Sequence, residues 1–265
     1  MTPKRFLSVI AVMLAAVMWL SCNSDSPTST APLNQIPDLS QTPREDYEAE
    51  VAAMVVSHEL IAPQWLYERI SFDLESIRDV FGDSLPVREI TFVPLCYPSL
   101  ITAKVDTLLF KDSSTRGIQI FDSLGQLYRL RDSSSHIVTS VWLDLWFQGV
   151  LNPCRLVELY SQVPGFKTIF PNPHLGSLPE IQILLRGNTL LYFFHSGSGD
   201  CPSGCIHSRY YYFQTTQAPH RYRISYIGSY APVLNHPELA PAWYDTALIA
   251  RDSTNYLCSW SAGST

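Results

Sequence analysis

The chain has 265 residues, a formal net charge of −6, 16% charged and 12% aromatic residues. Such an acidic chain has no electrostatic basis for gripping nucleic-acid phosphates or anionic lipid, whereas its apolar content suffices for one large folded domain or two small ones. No fixed-period repeat and no second long apolar run interrupt it, which argues against a solenoid or a transmembrane helix beyond the N-terminus.

Lys4 and Arg5 form a short positive start, and an apolar run broken only by Ser8 occupies residues 6–20. Fifteen residues are too few for a bilayer core, which needs about 20 in a helix, so a signal peptide over 1–21 is the expectation. Leu20-Ser21-Cys22-Asn23 resembles a bacterial lipobox, with Trp19 departing from the leucine that motif prefers. The resemblance implies cleavage before Cys22 and a lipid, palmitate included, on its sulfur. Asn23 in place of aspartate implies sorting to the outer membrane of a Gram-negative envelope. Residues 1–21 hold two basic groups and no acid, so the chain after them carries −8. Residues 22–42 are rich in Ser, Thr and Pro, a composition that cannot offset chain entropy and predicts a disordered spacer.

A helical pair is expected over 43–86. Thr42 caps the first helix, with Pro43 in its first turn and Glu45 reaching back, and Tyr47, Val51, Met54, Val55 and His58 recur at helical spacing up to about Leu60. Pro63 opens the second, whose stripe is Leu66, Ile70, Leu74, Ile77 and Phe81, with Gly82 as C-cap. The acids of this pair (Glu45, Glu48, Glu50, Asp73, Glu75 and Asp79) and its arginines read as a solvated face.

Residues 87–173 are expected to form a ferredoxin-like α+β layer. Strands are predicted over 87–93 and within 99–110, a short helix over 117–127, and a strand where Val141, Leu143, Leu145 and Phe147 alternate with Ser140, Trp142, Asp144 and Trp146. Asn152-Pro153 starts a helix, Pro164-Gly165 ends it, and a strand follows over 166–170. The helix segment at 151–160, then Val163-Pro164-Gly165-Phe166 and Phe170-Pro171-Asn172-Pro173, resembles the end of a subtilase propeptide-type domain. That resemblance implies a ferredoxin-like fold and, in that family, the chaperoning or inhibition of a protease. No protease domain follows in this chain.

Residues 174–265 are expected to form an antiparallel β region. Strands over 181–186 and 189–195 flank a Gly187-Asn188 turn, strands over 206–214 and 221–230 continue the meander, and a Pro-rich tail with a helical stretch at 243–250 closes it. Within this region Gly199-Asp200-Cys201-Pro202-Ser203-Gly204-Cys205, followed by the aromatic strand at 210–213, resembles a motif of secreted bacterial proteins without established chemistry. The residues themselves suggest a Cys201–Cys205 disulfide clamping a tight loop, Gly199 and Gly204 supplying the backbone freedom. Five cysteines remain after Cys22, so at least one of Cys96, Cys154 and Cys258 is expected to stay unpaired.

Around that loop His195, Asp200, His207 and Tyr211 form a candidate binding site. The same groups with Cys201 and Cys205 include zinc-ligand types, but Cys-x3-Cys is not the usual knuckle spacing, and no metal or other cofactor is assigned. No nucleophile elbow, phosphate loop or dinucleotide fingerprint occurs, and no catalytic residue is named. The leading expectation is a non-enzymatic, lipid-anchored envelope protein that binds a protein or peptide partner through the aromatic meander and its loop. A propeptide-like protease inhibitor is the first alternative, and a metal-dependent hydrolase using His195, Asp200 and His207 the second.

Overall fold

The computed structural model describes residues 44–106, 116–137, 141–173, 181–198, 207–218, 221–232 and 237–246, all within one unit that spans Asp38–Thr265. The signal, Cys22 and the spacer lie outside the described residues, as do Asp200, Cys201, Cys205 and Cys258. The architecture is mixed α/β, with helices packed on two antiparallel four-stranded sheets.

Helix α1 covers Tyr47–Ser57 and α2 covers Gln64–Phe81. Asp46, not Thr42, caps α1. Its side chain accepts from Ala49 N at 3.0 Å and takes a further bond from Ser71 Oγ at 2.7 Å, so one carboxylate fixes the helix start and ties it to α2. The helix ends at Ser57, short of Leu60, because His58 adopts a left-handed conformation with φ 58°. Helix α2 runs as its apolar spacing predicts, with Leu66, Ile70, Leu74 and Ile77 all buried.

Residues 87–93 do not form a strand. Val87, Ile90 and Phe92 are buried, but the backbone is held by side chains of the helices and not by a ladder. Phe92 N donates to Glu48 Oε1 at 2.7 Å, and Arg78 donates from Nη2 to the Ile90 carbonyl at 2.7 Å. Arg78 also grips Glu48 with two bonds of 2.8 Å. Glu48 and Arg78 therefore belong to the packing of the pair and not to a solvated face.

The first sheet follows. Its elements are β1 (Cys96–Val105), α3 (Arg116–Leu127), β2 (Leu130–Ile137), β3 (Val141–Phe147), α4 (Pro153–Tyr160) and β4 (Phe166–Pro173). Every pairing is antiparallel and the spatial order is β2-β3-β1-β4. Each helix thus connects two strands that have a third between them. Asn152 caps α4 as expected, accepting from Cys154 N at 3.0 Å. Cys154 is disulfide-bonded and so leaves the set expected to hold an unpaired thiol. Burial pushes the Cys96 thiol up to about 11, which keeps it protonated and a slow nucleophile at neutral pH. Ile101, Ala103 and Val105 of β1 and Leu143, Leu145 and Phe147 of β3 face both helices and form one core with Leu156, Val157 and Tyr160.

The second sheet is a meander of β5 (Ile181–Arg186), β6 (Thr189–Ser198), β7 (His207–Ala218) and β8 (Arg221–Tyr230) in sequential order. Its inner face carries Ile183, Tyr192, Phe194, Tyr211 and Phe213, and the elements that cover it are α1 and α2, from the other end of the chain. The N-terminal pair is therefore one half of a layer whose other half lies more than a hundred residues downstream. A helical turn at 242–246 sits on the outer face, where Trp243 and Tyr244 pack with Leu191, Phe193 and Tyr212.

Candidate binding face

Of the residues singled out by sequence, the described ones, His195, His207 and Tyr211, do not converge. In the β6–β7 register His195 lies opposite Tyr210, and His207 opposite Ser198. Side chains alternate along a strand, so His195 points to the outer face while His207, in phase with Tyr211 and Phe213, points to the inner one. His195 is buried, stacks on Tyr210 at 4.7 Å and bonds Ser208 Oγ through Nε2 at 3.0 Å. His207 is exposed at the start of β7, and Tyr211 belongs to the core under α1 and α2. Asp200 lies outside the described residues together with Cys201 and Cys205, and the clamped loop finds no support among the described residues. No cluster of three or more His, Cys, Asp or Glu that could hold a metal exists among the described residues.

The outer face of the meander is rich in rings but closed. Phe193 and Tyr212 stack at 4.7 Å, Trp243 lies 5.5 Å from Tyr212, and Tyr244 meets Tyr210 and Tyr230 edge-on at 5.4 and 4.9 Å. Phe193, His195, Tyr210 and Tyr212 are all buried. The aromatic strand that drew attention in the sequence is thus packing material on both faces. A 350 Å³ hollow beside the end of α3 is lined by Phe121, Asp122, Gly125, Gln126, Arg129 and Leu130 and assembles no acid–base pair.

One acid of the helical pair is far from solvent. Asp73 is fully buried and accepts from Arg69 Nε at 2.9 Å, Tyr222 OH at 2.7 Å and Tyr192 OH at 2.8 Å. Thr215 Oγ1 also donates to it, and Arg69 continues to Thr215 Oγ1 at 3.0 Å and Gln217 Oε1 at 2.7 Å. Helix α2 is thereby fastened to β6, β7 and β8 through one carboxylate. Burial, then the charge and hydrogen bond of Asp73, hold the Tyr192 phenol well above its ordinary range. With every lone pair of Asp73 occupied and its side chain fully buried, the cluster is a fastening between helix and sheet.

The arrangement best suited to a partner lies on the first sheet. Helices α3 and α4 both pack on one face, and the opposite face carries Trp142, Asp144 and Trp146 from β3, Lys104 from β1, and Thr168, Phe170 and Asn172 from β4, around Leu100 and Thr102 of β1, which are buried. The register sets Asp144 opposite Thr102 and Trp142 opposite Lys104. Thr102 Oγ1 donates to Asp144 Oδ1 at 2.7 Å and accepts from Asn172 Nδ2 at 3.3 Å, giving a polar line across three strands. Rings flank it. Trp142 meets Phe170 edge-on at 5.8 Å, Lys104 Nζ lies 5.7 Å from the Trp142 centroid, and Trp146 is 45% exposed. Among the described residues no helix covers this face.

Comparison with protein-family models, with curated proteins and with solved structures gives no match. The chemistry of the chain therefore rests on its own residues.

Sequence reasoning named none of the residues on this face as functional. The alternation of 140–147 predicts a strand with both faces partly covered, and the half-buried Trp142 and Asp144 agree with it. The available signal was two tryptophans and an aspartate on the polar phase of a strand whose other phase is wholly aliphatic or Phe.

Proposed function

We propose that the chain is a non-enzymatic envelope lipoprotein, anchored through Cys22, that binds a protein or peptide partner on the helix-free face of its first sheet. The observation that supports this most is the solvent-facing Trp146 beside the hydrogen-bonded line Asp144–Thr102–Asn172. Interfaces concentrate their energy in tryptophan, tyrosine and arginine anchors ringed by polar groups, and this face has that composition on a rigid support. Substituting Trp146→Ala or Asp144→Ala tests the reading by capture from the envelope fraction of the native cell. A partner retained by the parent protein and lost from both variants supports it, and equal retention counts against it. Anchoring is tested separately: Cys22→Ala should abolish incorporation of labelled palmitate.

A propeptide-like inhibitor is a second reading, favoured by the β-α-β-β-α-β order and the antiparallel arrangement β2-β3-β1-β4. Under it, the same face would dock on a protease. Failure to inhibit any member of a panel of subtilisin-like enzymes would remove this reading and leave the first intact.

A further inference from the structure

We infer that the outer edge of β8 is a second docking site, for an extended peptide in which acidic and apolar residues alternate. Strand β8 is ten residues long and pairs only with β7 among the described strands. An unpaired edge of that length presents a row of N–H and C=O groups that another strand can complete. The ladder to β7 is regular from Arg221 to Tyr226 and shifts between Tyr212 and Phe213, so Ile227 bulges out of register. The stretch that can accept an added strand is therefore residues 221–226.

The two sides of this stretch differ. Ile224 packs into the core beneath α1 and α2, and Tyr226 packs on Phe81 at 5.9 Å. On this side α2 adds Phe72, 4.8 Å from Tyr222, and Val80, about two turns further along the helix. Phe72, Val80 and Tyr226 are all exposed, an apolar strip beside the edge. The opposite side carries Arg221 and Arg223, both exposed, in a chain of net negative charge. A strand laid against β8 must alternate its side chains between these two sides. Apolar residues would meet the α2 strip, and carboxylates would meet the arginines.

A second copy of this chain fits less well. Antiparallel self-pairing centred on Arg223 sets that residue opposite its own copy, where like charges destabilise, and pairing centred on Ile224 sets Arg223 opposite Ser225, so neither register gives the arginines a carboxylate. The site is separate from the tryptophan face and does not depend on it.

The probes are two capped decapeptides, one alternating Glu with Val and one alternating Lys with Val. The mature protein is followed by hydrogen exchange over residues 221–226 and by fluorescence anisotropy of the labelled peptides. The Glu/Val peptide should slow exchange on β8 and bind more weakly as salt rises, while the Lys/Val peptide should do neither. Arg221→Glu with Arg223→Glu should weaken the Glu/Val peptide about tenfold and admit the Lys/Val peptide, at unchanged circular dichroism and melting temperature. Trp146→Ala should leave all of this unaltered. The inference is overturned by unchanged exchange at saturating peptide, by equal binding of both peptides, or by self-association that protects 221–226 without any peptide.

Discussion

The hydroxyl of Tyr192 donates a 2.8 Å hydrogen bond to Oδ2 of Asp73 across 119 residues of sequence, and both side chains are wholly buried. This contact joins the N-terminal helices to the C-terminal sheet, two parts of the chain that have the whole first sheet between them. It carries a clear expectation. Asp73→Ala leaves the Arg69 guanidinium without its carboxylate and three hydroxyls without their acceptor, and should cost about 3–5 kcal/mol in urea unfolding. Tyr192→Phe removes one donor from a satisfied cluster and should cost about 1–2 kcal/mol. A loss below about 1 kcal/mol for Asp73→Ala would mean that helix and sheet hold together without the carboxylate.

Alkaline pH should loosen the same fastening. Burial, then the hydrogen bond and charge of Asp73, raise the Tyr222 phenol, and burial raises those of Tyr192 and Tyr160. The folded chain keeps these phenols neutral, whereas in the unfolded chain they ionise near the ordinary value of about 10. Their stabilising contribution is therefore complete below pH of about 10 and is lost as pH rises toward the folded values. Urea midpoints measured from pH 8 to pH 11 should fall only at the alkaline end, more steeply for the parent than for Tyr192→Phe.

His58 provides a test at the other end of the scale. Desolvation, then the neighbouring Arg155, lowers its folded pKa, while Glu59 opposes them weakly. A depressed histidine stabilises above its ordinary value of about 6.5 and loses that contribution as pH falls through its folded value. The His58 ring should titrate below 6.5 in a proton NMR experiment. His58→Asn, which keeps a residue tolerant of the left-handed cap, should flatten the decline in stability between pH 7.5 and 5.5.

Gly82 is constrained by space and not by backbone angle. Its φ of −66° suits any residue, but a Cβ there would fall 2.3 Å from the Arg78 carbonyl oxygen and 2.5 Å from Arg88 Cγ. Arg88 can move, and the carbonyl of the last helical turn cannot. Gly82→Ala should therefore destabilise by about 1–3 kcal/mol, measured by thermal or urea unfolding.

Several elements were legible because a local rule and the tertiary structure agree. Gly187-Asn188 turns the β5–β6 hairpin, with φ 58° at Gly187, and the β8 limits and the Asn152 cap follow from the pattern and capping chemistry of their own segments. The misses have physical causes. Strand β2, Leu-Arg-Asp-Ser-Ser-Ser-His-Ile, has only two apolar residues and exists because β3 offers it a ladder. Residues 87–93 alternate like a strand, yet Glu48 and Arg78 take their backbone groups first. Asp73 was grouped with surface acids although it lies three residues after Ile70 and four before Ile77, inside the buried stripe. An acid in that phase needs buried donors; Arg69 stands one turn before it, but the three hydroxyls lie more than a hundred residues downstream, where no local pattern points to them. The candidate face was hidden for a related reason, since only the positions of α3 and α4 show which phase of β3 faces away from them.

Photo-crosslinking in intact cells tests the central claim most directly. A photoreactive phenylalanine analogue replaces Trp146 on the helix-free face and, in a control, Glu158, which is exposed on α4 on the other side of the sheet. The account predicts a discrete protein adduct from position 146, absent from position 158 and lost when Asp144→Ala is added. No adduct at 146, or the same adducts from both positions, would contradict it.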